Sequence, residues 1–168
     1  MTHYMELLAT NQPWNLIMFM AIPVILAETV AITELWILFT RKMSGVVRNI
    51  NRFAGICGGL YFIGVFIYLM NNAFIPLTTG GLWRGPADFI AVTFYLLGVI
   101  PLAGIAFLEL GIIKKNKSDN DKLKTHAILV GLFLLVAHIA MIFGMLNPEI
   151  MGYRNEVKNI EMPMEMSH

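Results

Sequence analysis

Four long apolar runs separated by short polar stretches set the outline of this chain: residues 14–40, 53–76, 87–113 and 125–146. Each is long enough to cross a bilayer, which takes ~20 residues of helix. The connections of about ten residues leave no room for a further domain, so consecutive helices should pack as antiparallel hairpins. The pattern predicts an all-α polytopic membrane protein, a four-helix antiparallel bundle. Residues 1–13 form an N-terminal segment before it, residues 14–146 the bundle, and residues 147–168 a methionine-rich tail. Pro23 and Pro101 fall inside the first and third runs, where each should free a carbonyl one turn earlier and kink its helix. Asn71-Asn72 and Asn147-Pro148 read as helix terminators.

Composition agrees with this outline, since 57% of the residues are hydrophobic and only 14% charged, too little charge for a soluble surface. A single cysteine, Cys57, excludes a disulfide framework and a cysteine metal cluster. The N-terminus lacks the basic region and cleavage site of a signal peptide and is expected to be retained. Phosphate-binding glycine loops, catalytic triads and helical metalloprotease motifs are missing from the sequence. Transport or an accessory role is therefore favoured over enzymology, with an oxidoreductase subunit as the enzymatic alternative.

Charge gives an expected orientation. Nine of the twelve Lys and Arg residues lie between the first and second runs (Arg41, Lys42, Arg48, Arg52) or between the third and fourth (Lys114, Lys115, Lys117, Lys122, Lys124). The positive-inside rule puts these loops in the cytoplasm and both termini outside. A bacterial cytoplasmic membrane is the expected home. The basic loops lie close to the bilayer and suit lipid headgroups rather than nucleic acid.

Shifting the sequence by 75 positions places "AITELWIL" (31–38) on "AFLELGII" (106–113), so that Glu34 meets Glu109, and pairs Met70 with Met145 and Asn72 with Asn147. These matches suggest a duplicated helical hairpin. Glu34 and Glu109 would then form an acidic pair near the cytoplasmic side, only ~8 to 10 Å from the basic loops at ~1.5 Å per residue.

Charged groups deep in hydrocarbon are costly, on the order of 3 kcal/mol on insertion scales, and usually face a partner, cavity or cofactor. Counted from the cytoplasmic ends of their helices, Glu28 and His138 both lie roughly 20 Å in, level with each other near midplane. A carboxylate and an imidazole converging there could bind a transition metal, with Met18, Met20, Met141 or Met145 as softer ligands, serve as a proton relay, or hydrogen-bond a quinone. A buried Glu–His hydrogen bond, or a protonated Glu28 bonded to Thr29 or Thr33, is the structural alternative. His138 could also ligate haem b, but a second axial histidine at that depth is lacking: His126 lies at the cytoplasmic end of the fourth run and His3 and His168 in the tails. The small residues of "AGICGG" (54–59) allow close approach of another helix or of a flat macrocycle.

The tail "EMPMEMSH" sets Met162, Met164, Met166 and His168 at alternate positions, so an extended strand would present all four on one face. Thioethers and imidazole are soft ligands suited to Cu(I). His3 and Met5 add further soft ligands at the same end of the bundle. Over these eight residues the tail is similar to the methionine motifs outside high-affinity copper transporters, which implies capture of a soft metal. Two classes of function stay open: a permease-like protein passing a soft transition metal from Met/His tails to the Glu28/His138 level, and an electron-transfer subunit holding haem b or quinone through His138. A non-catalytic subunit of a larger membrane complex is a third. The lipid bilayer is the expected partner under all of them, and a second copy or a partner subunit is expected because four spans make a narrow path.

Overall fold

A computed structural model describes residues 1–113 and 119–152, with no side-chain detail for residues 119 and 120. Within them the chain is helical and forms no strand. A short helix α1 (His3–Ala9) precedes four long ones: α2 (Trp14–Thr40), α3 (Val46–Thr79), α4 (Pro86–Glu109) and α5 (Asp119–Met145). All four are long and apolar enough to span a membrane, and the protein is a membrane-integral four-helix bundle. Packing runs in sequence order, with α3 held between α2 and α4 and α5 laid on α4, while α5 and α2 meet only lightly.

Helix boundaries follow local chemistry. Arg41 adopts the left-handed conformation (φ 54°) and returns its N–H to the Ile37 carbonyl, closing α2. Gly45 (φ 112°) and Gly85 (φ 87°) take backbone angles that side chains disfavour, and so place α3 and α4 on new axes. Pro86 follows at the first helical position, where its missing N–H costs nothing.

The α-helical ladder is interrupted near prolines, as expected for Pro23 and Pro101. A π-helical turn, Ile17–Ala21, ends two residues before Pro23, and a second, Met70–Phe74, ends two before Pro76. A proline clashes with the carbonyl four residues back and offers it no N–H, and a π turn relieves that crowding. Here the carbonyl four residues before Pro23 is that of Phe19, which accepts a hydrogen bond from the Tyr95 hydroxyl, while the neighbouring Met18 carbonyl accepts one from Tyr61 at 2.9 Å. Two tyrosines from adjacent spans thus satisfy backbone that hydrocarbon could not. Near Pro101 the ladder breaks at Gly98 instead.

Three of the four spans depart from the hydropathy reading at their ends: α4 stops at Glu109 rather than 113, α5 begins at Asp119 rather than 125, and the second span is displaced at both ends. The second span begins at Val46, seven residues early, because Arg48, Asn51 and Arg52 are helical rather than part of a loop. It also runs past Asn71 and Asn72, whose side chains donate back to the Ile67 and Tyr68 carbonyls and remain within the helix. Asn147 does cap a new element, accepting from the Glu149 N–H at the start of a 3-10 turn, Pro148–Met151.

Small residues govern the tightest contact. A Cβ on Gly59 would fall 2.4 Å from the Leu102 carbonyl oxygen, and one on Gly55 2.8 Å from Ile105. The Gly55/Gly59 side of the "AGICGG" stripe is therefore covered by α4, with backbone against backbone, while Gly58 faces Leu26 of α2. Around it Ala27, Val30, Ala54, Phe62, Leu102, Ile105, Val130 and Phe133 form the central core. Leu8 of α1 joins Phe19, Val65, Leu69, Val92 and Leu96 in a second core toward the N-terminal end.

Candidate functional site

Two polar sites lie inside this bundle. The first is near its basic end. Glu34 projects from α2, Glu109 from the last turn of α4 and His126 from the early turns of α5, and all three are at most 8% exposed. The imidazole sits between the carboxylates, with Nδ1 2.7 Å from Glu34 Oε2 and Nε2 3.4 Å from Glu109 Oε1. The α3 helix supplies the counter-groups. Arg48 grips Glu109 with both ends of its guanidinium, Nη1 at 2.8 Å from Oε1 and Nη2 at 3.0 Å from Oε2, and its Nη1 also donates to Asn51 Oδ1 at 2.9 Å. Fully buried Asn51 in turn donates to Glu34 Oε2 at 3.2 Å and Thr33 Oγ1 at 2.9 Å.

All four spans contribute, and Gly55 of α3 faces the cluster, a Cβ there lying at an ordinary packing distance of 3.8 Å from both Glu109 and His126. A cavity of about 110 Å³ lined by Met43, Arg48, Glu109, Lys122 and His126 adjoins the cluster. The pairing of Glu34 with Glu109 was legible in the repeat. Their meeting point, His126, was not, although it lies within two turns of the same basic end.

The second site is a cavity of about 240 Å³ nearer the middle of the bundle. Glu28 from α2 and His138 from α5 both line it, with Met20, Met141, Phe62 and Tyr95. Its exposed lining residues, Val24, Glu28, His138 and Met141, lie on α2 and α5, so it opens where those helices meet lightly. His138 Nδ1 lies 2.6 Å from the Leu134 carbonyl. A carbonyl can only accept, so Nδ1 carries the proton and Nε2 keeps its lone pair for a ligand. Glu28 has no hydrogen-bond or ion-pair partner among the described residues; Thr29 and Thr33 turn instead to backbone carbonyls of their own helix. Met18 and Met145 are outside the lining.

The N-terminal segment closes the far end of this cavity. Tyr4 lines it and packs against Tyr95, with ring centroids 5.4 Å apart, and burial pushes the Tyr4 phenol up to about 12. Thr2 donates to the Gly144 carbonyl at 2.6 Å. The buried Asp88 carboxylate takes the His3 backbone N–H at 2.7 Å and lies 2.6 Å from His3 Nδ1, while Arg84 meets Glu6 at 2.7 Å. His3 is thus engaged with Asp88, and Met5 packs on the apolar core. Met162, Met164, Met166 and His168 lie outside the described residues. No group of three or more His, Cys, Asp or Glu placed to hold a metal ion occurs among the described residues.

The chain belongs to a family of unknown function, DUF6803, which it matches over residues 1–160. No curated protein and no solved structure matches it.

Proposed function

We propose that this protein is a small membrane permease whose central cavity receives a soft transition-metal ion, of which Cu(I) is the fitting example, between Glu28 and His138. The observation that carries the reading is that these two side chains, from the first and fourth spans, line one cavity with the thioethers of Met20 and Met141. Imidazole nitrogen and thioether sulfur suit a soft cation, and the carboxylate neutralises its charge. A second observation favours an ion over a macrocycle: about 240 Å³ falls below the ~300 to 1,000 Å³ of pockets for larger ligands. The basic end is assigned to the cytoplasm, and the Met/His tail gathers the ion outside. A second copy or a partner subunit closes the open side between α2 and α5.

The test is uptake of Cu(I) or Ag(I) into proteoliposomes, with metal analysis and an optical spectrum of the same preparation. Wild-type protein should accumulate the ion, whereas Glu28→Gln and His138→Ala should each lower the rate at least tenfold. A Soret band in the purified protein, or unchanged uptake by both variants, would overturn the assignment.

A further inference from the structure

The Glu34–His126–Glu109 cluster is more than a satisfied ion-pair network. Glu109 is neutralised by the bidentate Arg48, so the guanidinium is committed to one carboxylate. Glu34 is left with the Asn51 amide and the imidazole, and its Oε1 is buried with no hydrogen-bond partner. Both His126 nitrogens are likewise buried and close to a carboxylate, yet neither makes an aligned hydrogen bond. With a neutral imidazole the cluster holds two negative charges against one positive. A buried excess charge is costly, and one added proton removes it. A metal cation is a poorer fit, because Arg48 already stands beside Glu109 and would repel it.

We propose that this cluster is a proton-binding and proton-relay site in which His126 passes a proton between Glu109, at the basic-end cavity, and Glu34 inside the bundle. The neutral ring starts with its proton on Nδ1; a proton from water in the cavity beside Arg48 and Lys122 forms an O–H bond on Glu109, and that bond then breaks as an N–H bond forms at Nε2, giving an imidazolium. The Nδ1–H bond then breaks and an O–H bond forms on Glu34 Oε2, leaving a neutral ring with its proton on Nε2. No electrons are exchanged, and return of the proton reverses each step. The geometry suits alternation: the ring stands 2.7 Å from one carboxylate and 3.4 Å from the other, so a small rotation aligns it with either in turn. The charged and titratable groups facing the imidazole are Glu34 from α2, Arg48 from α3, Glu109 from α4 and Lys122 from its own helix. In a permease this site would couple proton movement to cargo, but the proposal stands on the cluster alone.

The test is nitrogen NMR of the metal-free protein in nanodiscs with ¹⁵N-histidine, followed from about pH 5 to 8, where imidazoles exchange protons. His126→Gln assigns the signal; should that variant not fold, His3→Gln, His138→Gln and His168→Gln assign it by elimination. The expected result is a His126 ring that passes between neutral and doubly protonated forms within this range, with the transition shifted or lost in Glu34→Gln. A ring held in one neutral tautomer throughout, or a Glu34→Gln protein that behaves as wild type, would overturn the relay. With no metal and no transport in the measurement, its failure is distinct from failure of the cavity reading. A wild-type relay alongside absent metal uptake would remove the cargo and keep the proton site.

Discussion

Glu28 and Glu34 share one helix, yet Glu34 is 2% exposed and held against a histidine and an asparagine, whereas Glu28 faces a cavity without a hydrogen-bond or ion-pair partner among the described residues. Glu34 lies toward the basic end, where α3 and α4 approach closely across Gly55 and Gly59 and every span can supply a polar group. Glu28 lies where α2 and α5 meet lightly, so its counterpart His138 can share a cavity with it. The same residue types become an interlocked network in one place and open ligand atoms in the other. The contrast shows that helix packing, more than residue identity, decides whether an intramembrane carboxylate is committed to the fold or available to a ligand.

The strongest way to break that contrast is to remove Arg48. Taking one partner from a buried ion pair leaves the other uncompensated, at a cost of about 3 to 5 kcal/mol. Arg48→Ala should therefore sharply lower the unfolding temperature in detergent, and adding Glu109→Gln should restore a large part of the loss. A destabilisation of Arg48→Ala no larger than that of a surface lysine variant would show that the network does not hold the bundle together. A smaller effect belongs to Tyr95, whose hydroxyl serves the Phe19 carbonyl near Pro23 while its ring lines the cavity. Tyr95→Phe strands a buried carbonyl and should cost about 1 to 3 kcal/mol; unfolding in denaturing detergent checks it, and no change would mean the π turn satisfies that carbonyl by itself.

Much of this architecture was legible because hydrocarbon imposes a simple rule. Uninterrupted apolar runs of spanning length must be helices, so the four spans and their antiparallel order follow from hydropathy. The first span's limits, 14–40, are those observed. Where polar groups satisfy one another inside the bundle, that rule loses sight of them. Arg48 and Asn51 read as loop because hydropathy scores each side chain against lipid, although α3 places both against partners. His126 read as a helix-end residue for the same reason, and depth counted along a helix says nothing of which way a side chain turns. The repeat did single out Glu34 and Glu109, because a polar residue recurring in an apolar frame is informative in a way that an isolated one near a loop is not. Asn71 and Asn72 misled in the opposite direction, since an asparagine that bonds to the carbonyl one turn back does not stop a helix.

The smallest stability effect should come from the residues on which the proposed function rests. Glu28 and His138 are both exposed, and neither joins an ion pair with another described residue. Substitutions away from packed or paired positions usually fall within about 0.5 kcal/mol, so Glu28→Gln and His138→Ala should unfold at nearly the wild-type temperature while their metal uptake falls. His138→Ala gives up one hydrogen bond, to Leu134, and should be the less stable of the two. The comparison is sharpest with Glu34→Gln measured alongside, where the same change in side chain six residues along removes a buried charge from the network and should alter stability. If Glu28→Gln were instead the more destabilising, Glu28 would have a partner that matters to the fold, and the cavity would be a packing feature. Stability held with uptake lost would separate the two glutamates by role, one fixed by its neighbours and the other free to meet an ion.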